Sequence, residues 1–161
     1  MKLRTAAILS SVSAAAIVGI AGWESYRARA YDDGVGVQTI GWGTTRREDG
    51  SPVQRGDTTT PDRALIALNR EAQRTAREIA ACIGTVPLAQ HEFDAYVSLA
   101  YNIGPAAFCR STIVKRLRQT PPDYEGACAA VKMWNQAGGR VLPGLVKRRE
   151  AEYRLCMWGA Q

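Results

Sequence analysis

Glu24, Asp33 and Thr39 stand nine and then six residues apart in the segment GWESYRARAYDDGVGVQTIGWGTT, residues 22–45. Two carboxyl groups with a hydroxyl close by are what acid–base cleavage of a glycosidic bond requires. One carboxyl keeps its proton and gives it to the leaving oxygen; the other is ionised and activates water or steadies positive charge at the anomeric carbon. Acidic residues beside glycine turns are most often solvated surface groups, so the surrounding elements must decide whether this trio can act together.

Those elements can be read locally. Glu24 follows the apolar run Ala14 to Trp23, which places it at the end of a helix, partly desolvated, with its carboxyl pushed upward. Asp32-Asp33-Gly34 is a turn signal, and Gly34 to Thr45, rich in Gly, Thr and Val, reads as short strands joined by tight turns. Asp33 is then expected in a wetter place than Glu24. Thr39 is expected on the neighbouring strand, its hydroxyl free to hold a water.

The remainder reads as helical. Thr60-Pro61 opens a helix carrying Leu65, Leu68, Ala72, Ala76, Ile79 and Ile83 at three- and four-residue steps, and Gly84 with Pro87 ends it. Phe93, Val97, Ala100 and Tyr101 mark a second, the most buried, closed by Gly104-Pro105. Ser111 can cap a short helix bearing Ile113, Val114 and Leu117. Asp123 can cap the next, with Ala127, Val131 and Trp134 inward. A last helix follows Pro143-Gly144 with Leu145, Leu155 and Trp158. Polar residues 46–60 link the strand region to these helices. The sum is an α+β domain, a small lobe with short strands beside a larger helical lobe, with a cleft between lobes as the place for a sugar polymer.

Composition sets the frame. The chain has 161 residues, 46% of them hydrophobic, and a net charge of +6, enough for one compact domain that favours polyanionic partners. Its basic residues are interleaved with acids, which argues against a nucleic-acid arm. Lys2 and Arg4 precede an uncharged stretch from Thr5 to Trp23, about one membrane span long but only weakly apolar. The basic start orients that end inward and the domain outward. Cys82, Cys109, Cys128 and Cys156 lack the close pairs of a zinc site. Outside the cytosol they are expected to form one or two disulfides among three possible pairings, although Cys82 and Cys128, set among alanines, also fit buried free thiols. No metal and no cofactor is expected. The only histidine, His91, is expected in solvent, and no Ser-His-Asp or Cys-His arrangement supports nucleophilic chemistry. Tyr31, Trp42, Tyr101 and Trp134 can stack on sugar rings, with Tyr101 and Trp134 read as core. Arg148 and Arg149 are expected to reach Glu24 or else to lie at the surface or pair with Glu150 and Glu152.

The segment from Glu24 to Thr39 resembles the active-site signature of phage lysozymes of glycoside hydrolase family 24: Glu, eight residues, Asp, five residues, Thr. Phe93 to Gly104 (FDAYVSLAYNIG), Ser111 to Leu117 (STIVKRL) and Trp134 to Glu152 are similar to family segments in the same order. The resemblance implies a lysozyme-like fold and a muramidase that hydrolyses the β-1,4 bond between N-acetylmuramic acid and N-acetylglucosamine in peptidoglycan, needs no cofactor and acts as a monomer. Glu24 would be the general acid, Asp33 the second carboxylate and Thr39 the group that places the water. Tyr31, Trp42 and Asn102 would bind substrate, Asn102 resembling a family position near the cleft while also suiting a helix end. A lytic transglycosylase, needing one acid only, and a non-catalytic wall-binding scaffold are the alternatives.

The weakly apolar N-terminus is similar to the signal-arrest-release segment of a subset of phage endolysins. That implies residues 1–22 as a signal-anchor ahead of a catalytic domain over 23–161, export, transient residence in the host inner membrane through residues 5–22, and release to the periplasm. A cleaved signal peptide, with small residues at Gly19-Ile20-Ala21, and an ordinary anchor are the competing readings. On release, part of Ala14 to Trp23 would pack onto the domain as the helix that presents Glu24.

Overall fold

A computed structural model describes residues 11–34 and 36–158. They group into two units, residues 11–16 with 73–158 in one and 17–72 in the other. Helices carry most of the described chain and the strands are short, so the α+β expectation holds.

Helix α1 (Ala14–Trp23) starts in the first unit and ends in the unit of residues 17–72, where it leads into strands β1 (Arg27–Asp32) and β2 (Gln38–Gly41). The strands pair antiparallel, Tyr31 opposite Thr39 and Asp32 opposite Gln38, with an irregularity between Arg27 and Tyr31. Asp32 closes the turn, its Oδ1 accepting the Gly34 and Gly36 N–H groups at 2.8 and 3.1 Å, the side-chain-to-backbone bonding for which Asp is favoured in turns. Residues 46–60, expected as a link, belong to this unit's framework instead. The Ala30 N–H donates to the Asp57 carbonyl and the Thr59 N–H to the Ala28 carbonyl, both at 2.9 Å, so residues 57–59 line the free edge of β1. Gly41 has φ +66°, and a Cβ there would fall 2.8 Å from the Ala64 Cβ; glycine lets β2 approach the next helix closely.

That helix, α2 (Pro61–Ile83), begins as read. Leu68, Ala72, Ala76, Ile79 and Ile83 are buried, but Leu65 is 45% exposed. The inward stripe starts one position earlier, at Ala64, whose four-residue step leads to Leu68.

In the other unit, α3 (Gln90–Ile103) is buried without interruption from Glu92 to Ala100, as a helix in the centre of a core must be. Tyr101 is half-buried rather than core, and so is His91, which was expected in solvent. Gly104, at φ +88°, ends α3 in the left-handed region that favours glycine. Then follow α4 (Pro105–Cys109), α5 (Thr112–Leu117) and α6 (Tyr124–Ala130). Asp123 caps α6 by accepting the Gly126 N–H at 2.8 Å. Ser111 stands at the cap of α5 without a capping bond. Ala127 and Val131 are fully buried, whereas Trp134 is half-buried. A small hairpin, β3 (Gln136–Ala137) with β4 (Arg140–Val141), precedes α7 (Pro143–Trp158).

The inward face of α7 differs from its reading. Leu145 and Leu155 are half-buried and Trp158 is 54% exposed, stacked edge-on to Tyr153. The buried residues are Arg148, Arg149, Glu152 and Cys156. Arg148 and Arg149 each reach Glu152 at 3.1 Å, and the Ser98 hydroxyl donates to it at 2.7 Å. The two arginines are therefore buried, paired with Glu152. Burial pushes the Glu152 carboxyl up, against the pull of Arg149, Ser98 and Arg148. A search for apolar stripes passes over a buried face built from ion-paired charges.

Two disulfides select one pairing: Cys82 of α2 with Cys109 of α4, and Cys128 of α6 with Cys156 of α7. No cysteine is free, so the free-thiol reading of Cys82 and Cys128 is overturned.

Among the described residues no helix is long and apolar enough to cross a membrane; α1 has ten residues. The start of the expected membrane segment, residues 5–10, lies outside the described residues.

Candidate active site

Glu24, Asp33 and Thr39 all lie in the unit of residues 17–72. Glu24 follows the last turn of α1, its N–H still bonded to the Ile20 carbonyl at 3.2 Å, and its side chain is half-buried. Buried Ile17 and Ile20 set the inward side of this short helix.

Asp33 follows β1 and is exposed. Its N–H donates to the Val37 carbonyl at 3.1 Å and its Oδ1 accepts the Val37 N–H at 3.2 Å, so its carboxylate closes the turn just beyond the last strand pair, Asp32 with Gln38. Thr39 stands opposite Tyr31 in that ladder. Asp33 and Thr39 thus belong to one hairpin, the first in its turn and the second on β2. Thr39 is only 5% exposed. Its hydroxyl, expected to be free, lies 3.4 Å from the Val37 carbonyl, a long and weak hydrogen bond.

The aromatic candidates differ. Tyr31 is 37% exposed with the Arg27 guanidinium 5.6 Å from its ring centre. Trp42 is half-buried and tilted against Tyr26, ring centres 5.1 Å apart. Asn102 belongs to the other unit, where it is exposed and its side-chain oxygen accepts from Arg149 at 2.8 Å.

Sequence reading missed a cavity of about 330 Å³ in the 17–72 unit, lined by Ile40, Thr44, Val53 and Ala64 and by charged groups of residues 46–70. Asp57 anchors it. Arg47 clasps the Asp57 carboxylate with two bonds of 2.7 and 2.8 Å, and the Gln54 N–H adds a third at 2.9 Å. These bonds, Arg47's first, hold the Asp57 carboxyl down at about 2. The RREDGSPVQRGD run signals a charge-rich loop, but not which acid meets which base. Among the described residues no cluster of His, Cys, Asp and Glu is suited to a metal ion.

Comparison with known proteins sets this geometry in context. The family described as Phage lysozyme matches residues 21–152. The SAR-endolysin of bacteriophage PS34 is 34% identical over 140 residues, covering 87% of this chain and 80% of that protein. The endolysin from Escherichia coli O157:H7 phage FAHEc1 superposes with a TM-score of 0.81 at 32% identity, covering 93% of this chain and 95% of its own. A variant of P22 lysozyme gives 0.77 at 33% identity, covering 91% and 98%.

Proposed function

The chain belongs to the phage lysozyme family, and from that premise we propose that Glu24, Asp33 and Thr39 carry out its reaction. The protein is a glycoside hydrolase, a muramidase that cleaves the β-1,4 bond between N-acetylmuramic acid and N-acetylglucosamine in peptidoglycan and serves host cell lysis. In our assignment Glu24 protonates the leaving oxygen at the end of α1. Asp33 accepts a proton from water on the opposite side of the sugar, with Thr39 of the same hairpin orienting that water.

The observation that supports this assignment is the unlike setting of two carboxyls in one unit: Glu24 half-buried at a helix end, Asp33 exposed in the turn of the hairpin that carries buried Thr39. Tyr31 offers an exposed ring to the glycan, and Trp42 and Asn102 are likewise assigned to substrate binding.

We further assign export, with residues 1–22 as a transient anchor ahead of a catalytic domain over 23–161. Relatives named SAR-endolysin support this, as do two disulfides, which persist outside the cytosol. Helix α1 runs across the boundary at residue 22, so one segment would serve as address and as support for Glu24. An enzyme lacking residues 2–20 that keeps full activity would refute that dual role.

The decisive experiment measures reducing-end release from purified peptidoglycan by Glu24→Gln and Asp33→Asn, with folding checked by circular dichroism. Both are expected to be folded and inactive. Near-full activity of Asp33→Asn with anhydro-sugar products would establish a transglycosylase instead, and an active Glu24→Gln would remove the assigned acid.

A further inference from the structure

The start of α1 sits in a polar seat. The Ser13 N–H donates to Asp94 Oδ1 at 3.0 Å and the Ser13 hydroxyl to Asp94 Oδ2 at 2.7 Å. The same hydroxyl oxygen accepts the Ala16 N–H at 3.2 Å, so Ser13 caps the helix while Asp94 holds the cap. Gln90 donates from one amide nitrogen to Asp94 Oδ1 at 2.8 Å and to the Ser11 carbonyl at 3.2 Å. Gln73 brackets Val12, accepting its N–H and donating to its carbonyl, both at 3.2 Å. Val12 is 5% and Asp94 6% exposed. All these groups belong to the unit of residues 11–16 and 73–158.

The network exceeds what a helix start needs, since water can satisfy a serine cap. A carboxylate taken out of water is costly unless its oxygens are bonded, and Asp94 spends that capacity on Ser13 and on the Gln90 amide that reaches Ser11. Its negative charge beside the N-terminus of α1 favours the helix dipole. A helix of ten residues is marginal by itself and takes its stability from what it is fastened to.

We infer that Asp94 is a positioning residue for the proposed general acid. By fixing Ser13 it sets the start and rotation of α1, and Glu24 follows the last turn of that helix. The inference rests on the assignment of Glu24 above. Neither the resemblance nor the apolar pattern of α3 singles out Asp94, which lies between Phe93 and Ala95 in the most buried stretch of the chain.

The test uses the full-length chain with Ser13→Ala, Asp94→Ala, the double substitution and Glu24→Gln, read by steady-state kinetics on purified peptidoglycan and by hydrogen exchange. Asp94→Ala is expected to lower kcat on the order of tenfold with KM nearly unchanged, as displacement of a catalytic group does. Amides of residues 14–24 should lose protection while those of α3 keep theirs. The double variant should lose less than the sum of the two single losses, because both remove the Ser13 hydroxyl bond to Asp94. Parental kcat in Asp94→Ala, or a loss of kcat with protection falling equally in all helices, would overturn the inference. An active Glu24→Gln would defeat the general-acid assignment, whereas an inactive Glu24→Gln beside a fully active Asp94→Ala would defeat this inference alone.

Discussion

Removing the two disulfides one at a time should expose how the helical unit is held together. Cys82–Cys109 and Cys128–Cys156 span sequence separations of 27 and 28. Loop-closure entropy for loops of that length amounts to about 3.5 kcal/mol each, and nearly the same for both. The sulfurs differ in setting: Cys128 and Cys156 are 2% and 1% exposed, whereas Cys82 and Cys109 are half-buried. Cys128→Ala with Cys156→Ala therefore also opens a small void and strips Cys128 from the Tyr96 hydroxyl 3.7 Å away, adding about 1 kcal/mol. For a chain of this size losing Cys82–Cys109 should lower Tm by about 7–14 °C and losing Cys128–Cys156 by about 9–18 °C, out of a total stability of about 5–15 kcal/mol. Urea unfolding of the oxidised parent and the two double-alanine variants gives the values directly. A cost under about 1 kcal/mol for either bridge, or a larger cost for Cys82–Cys109 than for Cys128–Cys156, would refute the reasoning.

Three further outcomes can be checked. Gly41→Ala should lower Tm and activity together, because the new Cβ meets Ala64 at 2.8 Å and shifts the strand bearing Thr39, at a cost of about 1–3 kcal/mol; an unchanged Tm would contradict it. Asp57, held at about 2 in the fold, lies below its ordinary value, so its contribution is complete above about pH 4 and is lost as pH falls towards 2. Asp57→Asn should then be less stable at neutral pH and show a flatter acid limb between those values, read by thermal melts across pH. Gln73→Ala should raise hydrogen exchange at Val12 and in the first turn of α1, where both Val12 main-chain bonds end; parental exchange rates there would count against the seat.

Much of the fold was legible because its signals are local. Thr60-Pro61 and Gly104-Pro105 punctuate α2 and α3 where expected, and Asp32-Asp33-Gly34 is a turn that leads to a strand within Gly34 to Thr45, as read. What escaped was encoded in pairs far apart in sequence. Strand β1, RARAYD, carries no alternating apolar pattern, since it is paired on both edges by main-chain bonds rather than buried by side chains. The inward face of α7 consists of Arg148, Arg149 and Glu152, residues that an apolar count assigns to solvent. Asp94 was invisible for the same reason: its partner Ser13 is 81 residues away. At the proposed site, spacing together with the resemblance drew attention to Glu24, Asp33 and Thr39, but the burial of the Thr39 hydroxyl depends on a register that only pairing reveals.

These differences divide the labour between the two units. Both disulfides and the continuously buried α3 belong to the helical one, whereas the unit bearing Glu24, Asp33 and Thr39 has only a thin apolar core of Ile17, Ile20, Ile40, Val53, Ala64, Leu68 and Ala72. Its strands are fastened by polar links instead: Arg47 to Asp57, Asp57 to Ala30, Ala28 to Thr59. Structure held mainly by partly exposed hydrogen bonds opens at lower free energy than a packed core, so the hairpin of the proposed site should be the softer part of the molecule. Asp57 joins both kinds of link, bonding the arginine through its carboxylate and β1 through its main-chain carbonyl. Acid that protonates that carboxylate should therefore loosen the strand leading to Asp33 before it touches the disulfide-bonded helices, and activity at low pH should fail ahead of global unfolding.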